Sequence, residues 1–464
     1  MGMTSPEAGA FRSGPLLLED AGLFTDLYQL TMAAAYLREG RVGPATFSLF
    51  TRRLPAGRGF LVAAGLEDAL EYLRALRFPE RTLARLAALN RFEPAFLDHV
   101  ATLRFTGDVR AVEEGTVLFP DEPFLEVTAP LIQAQLVETA LLNLIHVQTV
   151  LASKAARVVL AADGRSVAEF GMRRSHGTDA ALKAARCAYL AGCTSTSDVL
   201  AGITYGIPLA GTMAHSYVAA FADELEAFRA YARAFPDHTI LLLDTYDTLE
   251  GARKAAVVAG EMAARGQQLA GVRLDSGDPL RLSREVRRIL DEAGFPGVSI
   301  LVSGGLDELD VERLLAAGAP IDAFGIGTRM NVSSDAPSVD LVYKLVRYDG
   351  RDVLKLSEGK ETWVGAKAVY RLHDEDILAL AEEPAPKDGS ESLLQPVMRE
   401  GELLRPHPPL ARLRAHCLAQ LAVLPDGVRR LGRPEVHPVR ASAALRARQA
   451  TATARAKEKP GATP

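Results

Sequence analysis

Three cysteines (Cys187, Cys193 and Cys417) are all that 464 residues contain, an odd number with no CxxC spacing. That excludes a disulfide framework and a structural zinc site as organising principles, and it fits a reducing, cytoplasmic setting. Charge of one sign is also scarce. The 53 basic and 58 acidic side chains leave a formal net charge of −5, so long-range attraction draws in neither nucleic acid nor an anionic membrane. The first twenty residues lack a basic segment followed by a long apolar run, so no secretory signal is expected. No uninterrupted apolar run of membrane length is present either. The most apolar stretch, Ala129 to Ala156, is broken by Gln133, Gln135, Glu138, Asn143, His146 and Gln148, whereas a spanning helix needs roughly 20 nearly uninterrupted apolar residues. The Walker-type phosphate loop and the GxGxxG dinucleotide fingerprint are missing in any suitable context, and no internal repeat is visible.

What remains is α/β patterning. Residues 20–139 read as an N-terminal α+β domain. They hold an early helix (Asp26 to Glu39), strand-like ATFSLF and GFLVAAG, a helical stretch near Glu67 to Leu89, and an all-β segment, RFTGDVRAVEEGTVLFPDEPFLEV. Residues 140–341 alternate strand and helix. The strand candidates are SVAEFG, CTST, IPLAGT, TILLLD, LAGVRLD, VSILVSG and IDAFGIG. Between them lie helical stripes such as Leu282, Val286, Ile289, Leu290 and Ala293. Such repetition predicts a parallel sheet with right-handed crossovers, closed into a barrel or left open. Residues 342–440 return to strand-like runs and are expected to rejoin the N-terminal domain. Residues 441–464, biased toward Ala, Arg, Lys and Thr, read as a frayed or flexible tail.

The polar residues of the middle region fall just after the apolar runs: EFG-MRRSHG, CT-STSD, AG-TMAHS, LLD-TYDT, VRLD-SGD, LVS-GGLDE and FGIG-TRM. In βα barrels the active site is built at these strand ends. Helix capping explains Asp247, Asp278 and Asp307. It does not explain Arg173, Arg174, His215 or Arg273, because long cationic side chains and imidazole are not caps. SGGLDE (Ser303 to Glu308) and GIGT (Gly325 to Thr328) supply glycines that let a backbone approach an anion, and together they favour a phosphorylated ligand over two plain tight turns. In RLDSGD, Asp275 and Asp278 could hold ribose hydroxyls, orient water around Mg²⁺, which takes one or two carboxylates plus phosphate oxygens, or stabilise a developing cation. His215 is either a packed histidine or a catalytic one. His176 reads as an exposed loop residue and His146 as a helix-face residue. Tyr28 reads as a helix aromatic in a core. No metal ligand set is identified.

Taken in order, DLYQLTMAAAY, EFGMRRSHG, GTMAHS, VRLDSGD, SGGLDE and GIGT…YKLV resemble the nicotinate phosphoribosyltransferase family, from about Leu23 to Val346; the related nicotinamide phosphoribosyltransferases are the near rival. The resemblance implies an irregular TIM-like α/β barrel beside an α+β domain built from both chain ends, in a homodimer with shared active sites. It implies transfer of the phosphoribosyl group of 5-phosphoribosyl 1-diphosphate to nicotinate, giving nicotinate mononucleotide and diphosphate, with Mg²⁺ and coupled hydrolysis of ATP, a step of NAD biosynthesis classified among the ligases. By resemblance, Tyr28 reaches across the dimer to stack on the pyridine ring with Phe170 on its other face. Arg173 and Thr212 contact nicotinate, with Arg273 close by. His215 is the histidine phosphorylated by ATP, Asp275 meets the ribose, and Ser303, Gly304, Gly305, Gly327 and Thr328 hold the 5-phosphate. One departure stands out: Ser197-Asp198 replaces the family's Ser/Thr-Asn, and an acid there is a feature of the nicotinamide-using relatives. A sugar-phosphate aldolase or isomerase barrel is a further alternative. It needs a Schiff-base lysine at a strand end, whereas Lys154 and Lys183 fall in predicted helices.

Overall fold

The computed structural model describes residues 18–357, 359–386 and 390–458. The chain divides into two compact units, residues 1–153 with 336–464, and residues 154–335. The sequence reading placed these divisions at 139/140 and 341/342; the first instead falls inside the long helix Glu138–Ala161. That helix is long and apolar enough to cross a membrane by composition, yet 72% of its apolar window is buried, as for a core helix.

In the first unit, strand Pro44–Thr51 is an interior strand, third in order, of a seven-stranded sheet. It pairs antiparallel with Leu341–Tyr348 on one side and Pro123–Pro130 on the other, so both chain ends build one sheet. Phe47 stacks on Tyr343 with ring centroids 4.8 Å apart, and the buried Tyr343 hydroxyl donates to the Ala134 carbonyl at 2.9 Å. The expected helix 26–39 runs Leu27–Arg38, its outer residues serving as caps. The helical stretch 67–89 splits into Leu66–Ala75 and Glu80–Ala87. Pro79 disfavours helical geometry at Phe78 and so ends the continuity.

The expectation of a flexible tail is corrected for residues 443–457. Ala443–Lys457 is a helix whose N-cap, Ser442, accepts from the Leu445 N–H at 3.0 Å. Leu445 is fully buried, and Arg448 grips Asp352 with two hydrogen bonds of 2.6 and 2.9 Å. The Ala/Arg bias that suggested disorder is equally a bias toward strong helix formers. Residues 459–464 lie outside the described part.

The second unit carries a parallel sheet. Its strands are Ser166–Glu169, Ser195–Thr196, Ile240–Leu242, Gly271–Leu274, Ser299–Ser303 and Ala323–Ile326, so six of the seven candidates form strands. The seventh, IPLAGT, makes only a single bridge, Leu209 to Thr196. Pro208 has no N–H to extend the ladder. Across the sheet, the order is Leu209, Ser195–Thr196, Ser166–Glu169, Ala323–Ile326, Ser299–Ser303, Gly271–Leu274 and Ile240–Leu242. Among the described residues no backbone ladder joins Leu209 to Ile240–Leu242, so hydrogen bonding does not close the sheet into the expected barrel. The amphipathic stripe behaves as patterned: Leu282, Val286, Ile289 and Leu290 are buried on helix Pro279–Glu292, while Ala293 ends it as an exposed C-cap.

Replacing Leu445 with alanine should destabilise the protein by about 2–5 kcal/mol in urea unfolding, the usual cost of a buried leucine. A loss below about 0.5 kcal/mol would show that the terminal helix does not dock.

Candidate active site

All six parallel strands end at one rim, and the polar loops follow there. Arg273, in strand Gly271–Leu274, spans three of them. Its Nε donates to Ser303 Oγ at 2.9 Å, Nη1 to Thr212 Oγ1 at 3.0 Å, and Nη2 to Asp275 Oδ1 at 2.6 Å. Ser303 Oγ donates to the same Asp275 oxygen at 2.5 Å. Burial on its own would raise the Asp275 pKa, but the hydrogen bonds from Ser303 and Arg273 outweigh it and hold the carboxyl below its ordinary value. Asp275 Oδ2 lies 4.0 Å from His215 Nε2, and His215 Nδ1 lies 3.2 Å from Thr245 Oγ1. The Arg273 guanidinium carbon sits 5.8 Å from the Phe170 ring centroid, within cation–π range. Phe170, Thr212, His215, Arg273, Asp275 and Ser303 are thus brought together.

The glycines beside them have physical reasons. Gly304 and Gly305 have φ of +99° and +71°, left-handed conformations that favour glycine. A Cβ on Gly304 would lie 2.1 Å from the Asp275 carbonyl oxygen. Asp275, Ser276, Ser303 and these glycines help line a cavity of about 260 Å³. Gly325 lets Phe170 lie across it, since a Cβ there would meet the ring at 2.6 Å. Gly327 has φ −121° and is needed for room, its Cβ position being 3.0 Å from the Phe170 carbonyl oxygen. Thr328 opens the short helix Thr328–Asn331.

Two predicted residues stand apart from this group. Arg173 is exposed on the turn Met172–Arg174. Tyr28 belongs to the other unit, in the first turn of helix Leu27–Arg38, and is 50% exposed. A half-exposed ring is not the core aromatic that its helical position suggested. Asp247, Asp278 and Asp307 are helix caps, as expected. Asp198 is one as well: it is buried and accepts from the Ala201 N–H at 3.0 Å, at the start of helix Val199–Tyr205. His176 is exposed, and His146 Nε2 accepts from the Val339 N–H at 3.1 Å. The three lysines of residues 154–335, Lys154, Lys183 and Lys254, all sit in helices, and Lys154 is bound to Glu308 and Asp335. None is a strand-end Schiff base.

Sequence reasoning overlooked two acids. Asp244 Oδ2 accepts from the Asp275 N–H at 3.1 Å and from the Ser276 hydroxyl, whereas its buried Oδ1 has no hydrogen-bond partner. The signal was present, an acid ending the apolar run TILLLD three residues before the cap Asp247. Glu169, fully buried, accepts from Thr196 Oγ1 at 2.6 Å and Asn331 Nδ2 at 2.8 Å. Burial raises its pKa despite those donors. Among the described residues no group of three or more His, Cys, Asp or Glu forms a metal cluster.

Comparison with known proteins covers nearly the whole chain. Residues 23–146 match the nicotinate phosphoribosyltransferase N-terminal domain, residues 165–375 the nicotinate phosphoribosyltransferase family, and residues 388–449 its C-terminal domain. A nicotinate phosphoribosyltransferase of Mycobacterium tuberculosis is 50% identical over 415 residues, covering 88% of this chain and 89% of the relative. That of Bacillus subtilis is 38% identical over 456 residues, covering 91% and 93%. The crystal structure of human nicotinic acid phosphoribosyltransferase superposes with a TM-score of 0.82 at 34% identity, covering 93% of this chain and 99% of that one.

Gly304→Ala tests the glycine turn against its own strain. A left-handed alanine alone costs roughly 1–2 kcal/mol. Gly266, with φ +73° and open space around it, provides the control for that cost. Calorimetry with ribose 5-phosphate should show at least about tenfold weaker binding for Gly304→Ala, and unchanged binding for Gly266→Ala. Equal affinities in the two variants would remove the turn from the site.

Proposed function

The chain belongs to the nicotinate phosphoribosyltransferase family, and we infer that it performs the family's transfer in NAD biosynthesis: nicotinate and 5-phosphoribosyl 1-diphosphate become nicotinate mononucleotide and diphosphate. The observation that carries this is the Arg273–Asp275–Ser303 group beside Gly304 and Gly305: a carboxylate kept ionised next to an anion-sized glycine turn. We read the parallel sheet as an irregular barrel. Its seven segments keep ring order, and the gap in the ladder is spanned by the His215–Thr245 hydrogen bond.

In the proposed transfer, the pyridine nitrogen attacks C1 of the ribose. The C1–oxygen bond breaks with its electron pair leaving on diphosphate. Phe170, with Tyr28 of a second copy, stacks the ring, while Arg173 and Thr212 meet the nicotinate carboxylate. Arginine suits that partner because its fork pairs two oxygens at once. Asp275, held ionised, takes the ribose hydroxyls and faces the cationic character developing at C1. Ser303, Gly304, Gly305, Gly327 and Thr328 hold the 5-phosphate. Holding the nitrogen in line with C1 contributes up to roughly 7–11 kcal/mol by effective-molarity arguments. The orphaned Asp244 Oδ1 beside Asp275 fits Mg²⁺, which takes one or two carboxylates along with substrate phosphate oxygens. When bound, the ion neutralises charge on the departing diphosphate. His215 accepts the γ-phosphoryl group of ATP on an imidazole nitrogen, releasing ADP, and the phosphohistidine couples ATP hydrolysis to substrate affinity. The enzyme works as a homodimer in the cytoplasm.

Asp198 is the sequence feature that favours nicotinamide. Its buried role as a helix cap gives the acid a structural reason and supports nicotinate. In competition, nicotinate should be preferred by at least about 100-fold in kcat/KM, because a pocket built to pair a carboxylate leaves arginine unpaired with an amide. Equal or reversed preference would return Asp198 to the pocket. Separately, γ-labelled ATP should place an acid-labile, base-stable phosphate on the protein. His215→Ala should abolish both that label and the stimulation by ATP while the fold persists. A mutant that still labels would remove His215 from the acceptor role.

A further inference from the structure

The two glycine turns that hold the 5-phosphate in this reading follow different strands, so something must set their separation. One turn leads into helix Glu308–Ala316, which is firmly anchored. Asp307 Oδ1 accepts from the N–H groups of Leu309 and Asp310 at 3.0 and 3.1 Å, and Asp310 Oδ2 accepts from the Asp307 N–H at 3.3 Å. Glu308, 1% exposed, is gripped by Lys154 and by Arg157 Nε at 3.0 Å. Two carboxylate oxygens of this cap, Asp307 Oδ2 and Asp310 Oδ2, meet a single group. Arg329 Nη1 donates to them at 2.9 and 3.0 Å. Arg329 directly follows Gly327 and Thr328 of the second turn. The same short helix is also secured by Asn331, whose Nδ2 donates to Glu169 Oε1 at 2.8 Å.

We propose that Arg329 is a positioning residue for the phosphoribosyl donor: by joining Asp307 and Asp310 it fixes the Gly327–Thr328 turn at the distance from Gly304–Gly305 that lets both meet one phosphate. This rests on the functional reading above. The ion pair is a poor source of stability, since the Arg329 side chain is 47% exposed and exposed pairs contribute little. Its effect is geometric. A shift of one of two turns that hold the same phosphate loosens the grip on the donor without moving the reacting atoms, so a weak strut between them matters more to donor binding than to folding. Each aspartate spends part of its hydrogen-bonding capacity on the helix cap, which orients the oxygens offered to Arg329. The strut therefore has one rigid end.

The test compares Arg329→Gln, Arg329→Lys, Asp310→Asn and the double variant Arg329→Gln/Asp310→Asn in the full-length enzyme. Arg329→Gln should raise the KM for 5-phosphoribosyl 1-diphosphate about tenfold, with kcat and the nicotinate KM within about twofold. Its melting temperature should stay within about 2 °C of wild type. Arg329→Lys, which keeps a charge between the two oxygens, should bring that KM back to within about threefold. The double variant should be no worse than Arg329→Gln, because both changes cut one link. An unchanged KM in Arg329→Gln overturns the proposal. So does a joint rise in both KM values with a falling melting temperature, which marks a merely structural role. An Asp310→Asn enzyme that binds the donor more tightly than wild type also overturns it, since the freed arginine would then be touching phosphate itself. If the wild type makes no nicotinate mononucleotide, the functional reading has failed on its own. The Kd of ribose 5-phosphate in wild type and Arg329→Gln, measured by calorimetry, still decides the role of Arg329.

Discussion

The site depends on one shared oxygen. Asp275 Oδ1 accepts from Arg273 Nη2 and from Ser303 Oγ, while Arg273 also donates to Ser303 and Thr212. Two adjacent strands and one loop across the gap in the sheet are thereby locked to one carboxylate. A partly buried carboxylate without such donors would tend to pick up a proton, and its neighbouring guanidinium would lose its orientation. With them, the acid stays charged and its second oxygen remains directed toward His215. The glycine turn after Ser303 then has a fixed floor, because Gly304 rides against the Asp275 carbonyl.

That group can form because of parallel pairing in register. Val302 lies beside Leu274 and Phe324, so the residues that follow each strand emerge at one level. Asp244 at the end of the next strand supports the same loop through the Asp275 N–H, and its second oxygen is left buried and unpaired. Buried unpaired carboxylate oxygens are costly, so they persist mainly where a ligand or ion completes them. On the other flank, Glu169 binds Thr196 and Asn331, joining the strand that leads into Phe170 to the loop of Gly327. The rim at the strand ends is a connected polar network over an apolar sheet, with helices capped by the acids that a motif search would otherwise mistake for ligands.

Much of this was legible in the residues. Strand periodicity, polar strand ends and paired glycines located the rim, and the cap reading of Asp247, Asp278 and Asp307 was correct because Asx capping is a local rule. Three features were not legible. Closure of the sheet depends on whether the other edge of IPLAGT pairs with Ile240–Leu242, a long-range choice that hydrophobic pattern does not encode; Pro208 removes a donor only on the edge facing Thr196. The docking of the last helix depends on Asp352, almost a hundred residues upstream of Arg448, a contact no local pattern encodes. The joint use of Asp307 and Asp310 by Arg329 was hidden for the opposite reason: each acid already had a sufficient local explanation.

The most direct measurement of the central claim is the kcat/KM of Asp275→Asn for 5-phosphoribosyl 1-diphosphate, taken beside its thermal unfolding. Asparagine keeps the size but removes the charge that Arg273 pairs. The account predicts a loss of roughly 100-fold or more in kcat/KM, about 2.7 kcal/mol of transition-state stabilisation, with the fold intact. A folded Asp275→Asn enzyme within about threefold of wild type would contradict it.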